Sequence, residues 1–483
     1  MSTPNAVPMI SPCSPVRGFG IPHDDRQESS MHRQHRVLVI AEAANPEWVS
    51  VPLVGWSMAN ALRAVADIHI VTQVRNRDAF LRAGLVEGRD FTALDTEAVA
   101  RPAYRLASLL RGGEGKGWTM LAAIASLTYP VFERAAWRRF GPEIRAGRYD
   151  VVHRVTPLSP TAGSSLARRC AEVGVPFVLG PLNGGLPWPR HFAAERRREK
   201  EWLSHLRGIY RLLPQRRATL AAARAILAGS RHTADEIPAV FGSKLIYMPE
   251  NGIDPNRFAR VAEAPADPVL RMCFIGRLVP YKGPDMAIVA ALPLLRSGRA
   301  HLDLVGDGPL RSELEALVAR EGVGRAVTFH GWVAHAEVQD IACRSSVFVF
   351  PSVREFGGGA VLEAMALGLA PVVVDYGGPG ELVSAERGIA VPLASREVIV
   401  ARLSEVLEDL AAGPERATAL GRAARHFALS RLTWTAKAEA MRDIYDWVTG
   451  LRSEKPCPYG AHRAAPPSPE GTAPLPGHAA GVA

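Results

Sequence analysis

Cysteine is scarce in this chain. Its 483 residues include five, Cys13, Cys170, Cys273, Cys343 and Cys457, scattered without a CxxC pair or histidines at metal-ligand spacing, a pattern that fits a reducing cytosol and no structural zinc. Long hydrophobic runs are also missing. The most apolar stretch, Trp118 to Val131, is shorter than the roughly 20 residues needed to span a bilayer, so it reads as a core or interfacial helix. The segment ahead of Met31 carries Pro4, Pro8, Pro12 and Pro15 among polar neighbours and lacks the unbroken apolar core of a secretory signal. It reads as disordered, with Met31 an alternative start. From Lys455 the chain is rich in Pro, Ala and Gly, a composition that buries little and is expected to stay mobile. No short repeat period occurs, which excludes a solenoid, and no GxxxxGK[ST] phosphate loop occurs anywhere.

What is present is enough apolar material for sizeable cores, 47% of residues, in a chain too long for one ordinary domain. The net charge of +9, from 57 Lys and Arg against 48 Asp and Glu, suits anionic ligands or an anionic membrane surface. Short β-rich runs alternate with helical patterns: Val37 to Ile40, Ile68 to Val71, Val151-Val152 and Pro176 to Leu179 in the first half. The rhythm resumes with Met272 to Ile275, Leu302 to Val305, Ala326 to Phe329, Val347 to Phe350 and Pro371 to Val374. Such alternation predicts parallel sheets flanked by helices. Between the two arrays, Asn251-Gly252-Ile253-Asp254-Pro255 and the Pro/Ala-rich segment through Pro268 supply turn chemistry without helical periodicity. Two open parallel sheets bind ligands beyond the carboxyl ends of their strands, so function is expected in the loops after strands.

Those loops carry the informative residues. Gly276-Arg277-Leu278 and Lys282-Gly283 place two cations beyond one strand end, where Arg277 offers a planar fork and Lys282 a point charge for a diphosphate; the plain alternative is two solvated surface cations. Gly306-Asp307-Gly308-Pro309 is a tight turn after a strand. It is not a dinucleotide fingerprint, because Arg311 stands where that motif needs glycine. In Pro351 to Ala366 a buried strand ends in Glu355-Phe356-Gly357-Gly358-Gly359, whose glycines admit close backbone approach and open a helix that aims N–H groups at an anion. Glu363, about one turn into that helix, can accept hydrogen bonds from ribose hydroxyls, and Glu355 can meet sugar hydroxyls. The alternative is a helix start stabilised by acids. The loop Tyr376 to Glu381 reads as a turn.

Taken in order, Gly276-Arg277-Leu278, Lys282-Gly283, the GDGP turn, Phe329-His330-Gly331-Trp332-Val333, the E-x7-E pair Glu355 and Glu363, and Gly377-Gly378 resemble the family 4 glycosyltransferases. The match is dense from about 225 to 390. The resemblance implies an α/β protein of GT-B fold, with two Rossmann-like doubly wound parallel-sheet domains facing a cleft. It implies a first domain over 34–250, a linker over 251–269, a nucleotide-sugar domain over 270–432 and a terminal helix over 433–450 packing back on the first domain, between tails 1–33 and 455–483. By the same resemblance Arg277 and Lys282 bind the donor diphosphate, Glu363 holds the ribose, and Glu355 faces the transferred sugar near the amides of Phe356, Gly357, Gly358 and Gly359. Gly306 and Gly331 belong to the donor site, the Phe329 to Val333 loop beside the base. The family acts with retention of configuration and no bound metal, and this chain has no DxD motif. No cofactor is implied beyond the nucleotide-diphosphate sugar, which is a substrate.

The first half departs from the family pattern. Its first loop, Ala41 to Ser57, supplies only Gly55 for close approach to the diphosphate, and the histidine arrangement HxH-P is replaced by His153-Arg154-Val155-Thr156-Pro157. His153 is either the acceptor-side catalytic histidine or a structural one; Arg154 is a candidate contact for donor phosphate or an acidic acceptor. Gly180 to Pro189 is a rigid, glycine-laden loop and a candidate acceptor-binding element. The stretch near 190–217, with Arg196, Arg197, Arg198, Arg207, Trp202 and Tyr210, is either a solvated helix face or a peripheral contact with anionic lipid on the inner face of the membrane. The expected partners are a nucleotide-sugar donor and a glycan or lipid-linked acceptor of polysaccharide or cell-envelope synthesis, without nucleic acid. The rival readings are a GT-B epimerase or phosphorylase and a non-catalytic nucleotide-sugar-binding subunit.

Overall fold

The structure, a computed structural model, describes residues 34–99, 101–102, 118–198, 214–262 and 268–460. Its strands form two sheets. The first has the order β3-β2-β1-β4-β5-β6-β7, built from β1 Arg36–Ala41, β2 Asp67–Gln73, β3 Phe91–Leu94, β4 Val151–Thr156, β5 Phe177–Leu182, β6 Ala225–Ala228 and β7 Leu245–Tyr247. The second has the order β10-β9-β8-β11-β12-β13, from β8 Leu270–Ile275, β9 Ala300–Val305, β10 Val327–Gly331, β11 Val347–Phe350, β12 Ala370–Asp375 and β13 Ile389–Pro392. Every pairing is parallel. The chain is thus two α/β domains of GT-B architecture, each with the strand order reversing beside its first strand.

Parallel strands covered on both faces must be apolar on both, and β11, Val347-Phe348-Val349-Phe350, is buried throughout. Around it pack Phe274, Leu304, Leu362 and Val372, each buried aliphatic side chain contributing on the order of 1.5–3 kcal/mol. The first domain has one core on each face of its sheet. One contains Leu38, Ile40, Phe132 and Phe140. The other contains Val37, Met58 and Leu62 together with Met441, Ile444, Tyr445 and Val448 of the last helix, Trp434–Thr449. The chain therefore ends its second domain and returns to the first.

The two crossings are tied to each other. Ile253 N donates to Leu432 O at 2.8 Å and Trp434 N to Ile253 O at 3.1 Å, so the outgoing and returning strands of the hinge pair as a short bridge. Residues 455–460, counted with the mobile tail above, are instead packed: Lys455 Nζ donates to Gly242 O and Leu245 O at 3.4 and 3.3 Å, and Tyr459 lies against both large cores. The segment read as a plain turn at Tyr376 to Glu381 is the start of a helix, Gly377–Leu382. The segments 1–33 and 461–483, and 199–213 within the basic stretch, lie outside the described residues. Among the described residues no helix is long and apolar enough to cross a membrane.

Candidate functional site

Three loops at the carboxyl end of the second sheet run in backbone contact. Gly276 N donates to Val305 O at 2.9 Å, Leu278 N to Asp307 O at 2.9 Å, and Gly306 N to Gly331 O at 2.8 Å. Gly306 makes this stacking possible. Its φ is +135°, and a Cβ there would stand 2.1 Å from Gly276 O, so only glycine fits. The loop then turns through Pro280–Lys282 and brings the Lys282 ammonium inward, 5.4 Å from the centre of the Phe350 ring.

From the next strand end comes the opposing charge. Glu355 Oε2 stands 3.3 Å from Lys282 Nζ, both side chains largely buried at 25% and 17% exposure. Burial by itself would lower the lysine, but Glu355, with Tyr281 and Glu363, carries it above the ordinary lysine value. Lys282, Glu355 and Glu363 thus share one electrostatic environment. Glu363 lies within the helix Gly359–Leu367, whose N-cap is Gly358 in the left-handed region at φ 60°, so this helix presents its first N–H groups beside the cluster. Arg277 is exposed on the same loop as Lys282, at the rim. Phe356 and Gly357 are half-buried in the loop after β11, and Gly331 is buried at the end of β10 beside Trp332, which is 83% exposed.

The sequence of the second domain matches a known family over this whole region. Residues 270–409 fit the sequence model of the glycosyl transferases group 1. Over these residues the chain is similar to that group. The chain is 35% identical over 220 residues to glycogen synthase of Mycobacterium tuberculosis, a match that spans 44% of this chain and 51%, about half, of that one. It is 28% identical over 335 residues to the GDP-mannose-dependent alpha-(1-6)-phosphatidylinositol monomannoside mannosyltransferase of Mycolicibacterium smegmatis, covering 61% of this chain and 84% of that enzyme. Among solved structures, sucrose-phosphate synthase from Thermosynechococcus elongatus superposes with a TM-score of 0.57 at 18% identity, covering 87% of this chain and all of that one. Anabaena HepE, solved in complex with UDP, gives 0.53 at 14% identity over 85% and 99%. Both show the fold. The loops that carry the charged cluster all lie within the matched residues.

The first domain contributes differently from what its sequence suggests. His153 is fully buried on β4; Nδ1 pairs with Tyr445 Oη and Nε2 with Gly180 O, both at 2.8 Å. Burial pushes it down to about 4, against a raising effect of the Gly180 bond. With both nitrogens occupied and no open face, the imidazole is structural, which corrects the catalytic alternative. Arg154, 1% exposed, donates to Ala162 O at 2.7 Å and lies 5.5 Å over the Tyr129 ring, so it is walled off from the cleft and from any phosphate there. Gly55 sits inside helix Val51–Leu62. A Cβ there would be 2.3 Å from Ala43 O; its smallness serves helix packing against the first loop.

Two side chains the sequence reading passed over stand in the hinge. Glu250, 7% exposed, accepts from Asn183 Nδ2 at 2.5 Å. Burial pushes it up to about 7, opposed by Asn183 and Lys437 and aided by Glu355. Asn251 places its amide against the glycine loop, 2.3 Å from where a Gly357 Cβ would be. Asn251 opens the Asn251 to Pro255 turn, which reads only as a boundary, and Glu250 falls just before it. Within the basic stretch, helix Ala193–Arg198 reaches the second domain, with Arg198 Nη2 3.2 Å from Glu313.

Proposed function

We propose that the chain is a retaining, metal-independent glycosyltransferase of family 4. It moves a sugar from a nucleotide-diphosphate sugar to a glycan or lipid-linked acceptor in polysaccharide or cell-envelope glycan synthesis, in the cytoplasm or peripherally on the inner membrane face. The observation that carries this is the half-buried cluster of Lys282, Glu355 and Glu363 on the loop and helix that follow β11 and the loop that follows β8. A half-buried cation near the start of a helix suits a diphosphate. That HepE was solved with UDP agrees with a nucleoside diphosphate as the ligand class.

In this reading Lys282 turns from Glu355 to the diphosphate when donor binds, Arg277 closes over it from the rim, and Glu363 takes the ribose hydroxyls. The amides from Phe356 to Gly359 lie beside the phosphates and the sugar. Gly306 lets the loops around the donor stack on one another and Gly331 admits the Arg311 guanidinium, with the Phe329 to Val333 loop at the base. Glu355 then faces the sugar. As the bond between anomeric carbon and diphosphate oxygen breaks, the electron pair leaves with the diphosphate, whose growing charge Lys282 and Arg277 stabilise. The acceptor oxygen bonds to the anomeric carbon on the same face and its proton passes to the departing phosphate. No metal is assigned, the cations and helix start taking its place.

A second reading, a nucleotide-sugar-binding subunit without turnover, is favoured by one observation: His153 is sealed in the first domain, leaving the acceptor side without a histidine from β4. One experiment separates the two. A panel of nucleotide sugars is screened for thermal stabilisation, and nucleoside diphosphate release is measured with the stabilising donor. Release that Lys282→Ala and Glu355→Ala abolish supports the transferase; tight binding without release supports the subunit; a chain stabilised by no nucleotide sugar sinks both.

A further inference from the structure

The loop after β5 leaves the first domain and is fastened on both sides of Glu355. At its root, Asn183 Nδ2 is held by the buried Glu250 carboxylate at 2.5 Å, Asn183 Oδ1 accepts from Gly185 N at 2.9 Å, and Gly184 N donates to Thr233 Oγ1 at 2.9 Å. At its tip the contacts are with the second domain. Arg354 Nε donates to Leu186 O at 3.3 Å, and its guanidinium lies 4.9 Å over the Trp188 ring. Tyr376 Oη donates to Pro187 O at 2.8 Å. Trp188 meets Tyr281, the residue before Lys282, edge-on at 6.2 Å.

These contacts bracket one residue. Arg354 precedes Glu355 in the chain, and Gly378 N donates to Glu355 O at 3.0 Å. Leu186 Cδ1 and Glu355 O crowd the same point, 2.3 and 2.5 Å from where a Gly377 Cβ would be. From the other side Asn251, next to Glu250, packs on Gly357. The Glu355 loop is therefore clamped between the first-domain strap and the hinge.

We propose that Asn183 and Trp188 are positioning residues for Glu355: the first domain sets the place of this carboxylate through the strap 183–188, so that Glu355 is aligned for the reaction only while the two domains are latched. This rests on the function proposed above. A carboxylate displaced by about 1 Å from productive geometry loses much of its effect on rate while donor binding, which rests on the second-domain loops, is kept. The strap thus governs turnover rather than affinity.

The test uses the full chain with UDP-glucose and with GDP-mannose, measuring affinity by calorimetry and nucleoside diphosphate release at saturating donor. Trp188→Ala and Asn183→Ala are expected to lower release about ten-fold with Kd unchanged within about two-fold, a pattern of lost alignment rather than lost binding. Trp188→Phe keeps a ring under Arg354 and is expected to recover most of the rate. Release untouched in Trp188→Ala, or affinity falling in step with release, overturns the strap proposal alone. A wild-type chain that binds these donors without release, or that no nucleotide sugar of the panel stabilises, overturns the functional reading and the strap proposal with it.

Discussion

Lys282 and Glu355 occupy one another, with Nζ 3.3 Å from Oε2 in a largely buried setting. A cation kept charged by a carboxylate can exchange that partner for a phosphate without a change of protonation, because Glu355 and its neighbours hold Lys282 above its ordinary value. Lys282→Ala is expected to lower turnover by about two to three orders of magnitude, as loss of one preorganised group at a developing charge does. Lys282→Arg should retain donor binding better than Lys282→Ala. Steady-state kinetics with the stabilising nucleotide sugar decides; a loss under about three-fold for Lys282→Ala would remove it from the reaction.

Glu363 has a narrower task. If its carboxylate takes the ribose hydroxyls, Glu363→Ala should weaken donor affinity by about ten-fold, the scale of hydrogen bonds to a charged group, and leave turnover at saturation nearly intact. Calorimetry with a nucleoside diphosphate reads this directly.

His153 should matter for stability and not for chemistry. His153→Ala leaves Tyr445 Oη and Gly180 O without their partner, at a cost on the order of 2–4 kcal/mol. The pH dependence follows in sign. Burial depresses the folded value to about 4, below an unfolded value of about 6.5. Between the two the unfolded chain binds the extra proton, so stability rises with pH. The contribution is complete above about 6.5 and is lost as pH falls toward 4. Chemical unfolding across this window should be flatter in His153→Gln than in the wild type.

At Gly306 backbone geometry leaves no room. Gly306→Ala forces φ +135° on a residue with a Cβ and drives that atom to 2.1 Å from Gly276 O, so a loss on the order of 3 kcal/mol is expected. Thermal unfolding with and without a nucleotide sugar checks it, with the donor-induced stabilisation shrinking as the three loops separate.

The second domain was legible where strands are buried on both faces. Val347 to Phe350 is apolar throughout, and its neighbours β8 and β12 followed from the same pattern. β6 was not legible, because Ala225-Ile226-Leu227-Ala228 continues an alanine-rich run with high helix propensity; only its place between β5 and β7 makes it a strand. The helix Gly377–Leu382 hid behind three glycines and a proline that read as a turn.

The order of loops fixed the local chemistry at the second sheet, since Lys282, Glu355 and Glu363 each follow a strand and strands of one parallel sheet end on one side. Roles that depend on distant partners needed the folded chain. His153 meets Tyr445, 292 positions away, and Glu250 meets Asn183, 67 positions away. Spacing along a sequence encodes which face or end of an element a residue occupies; it carries no information about which other element packs there, and burial with a specific partner is what turned one histidine structural and made one glutamate a hinge anchor.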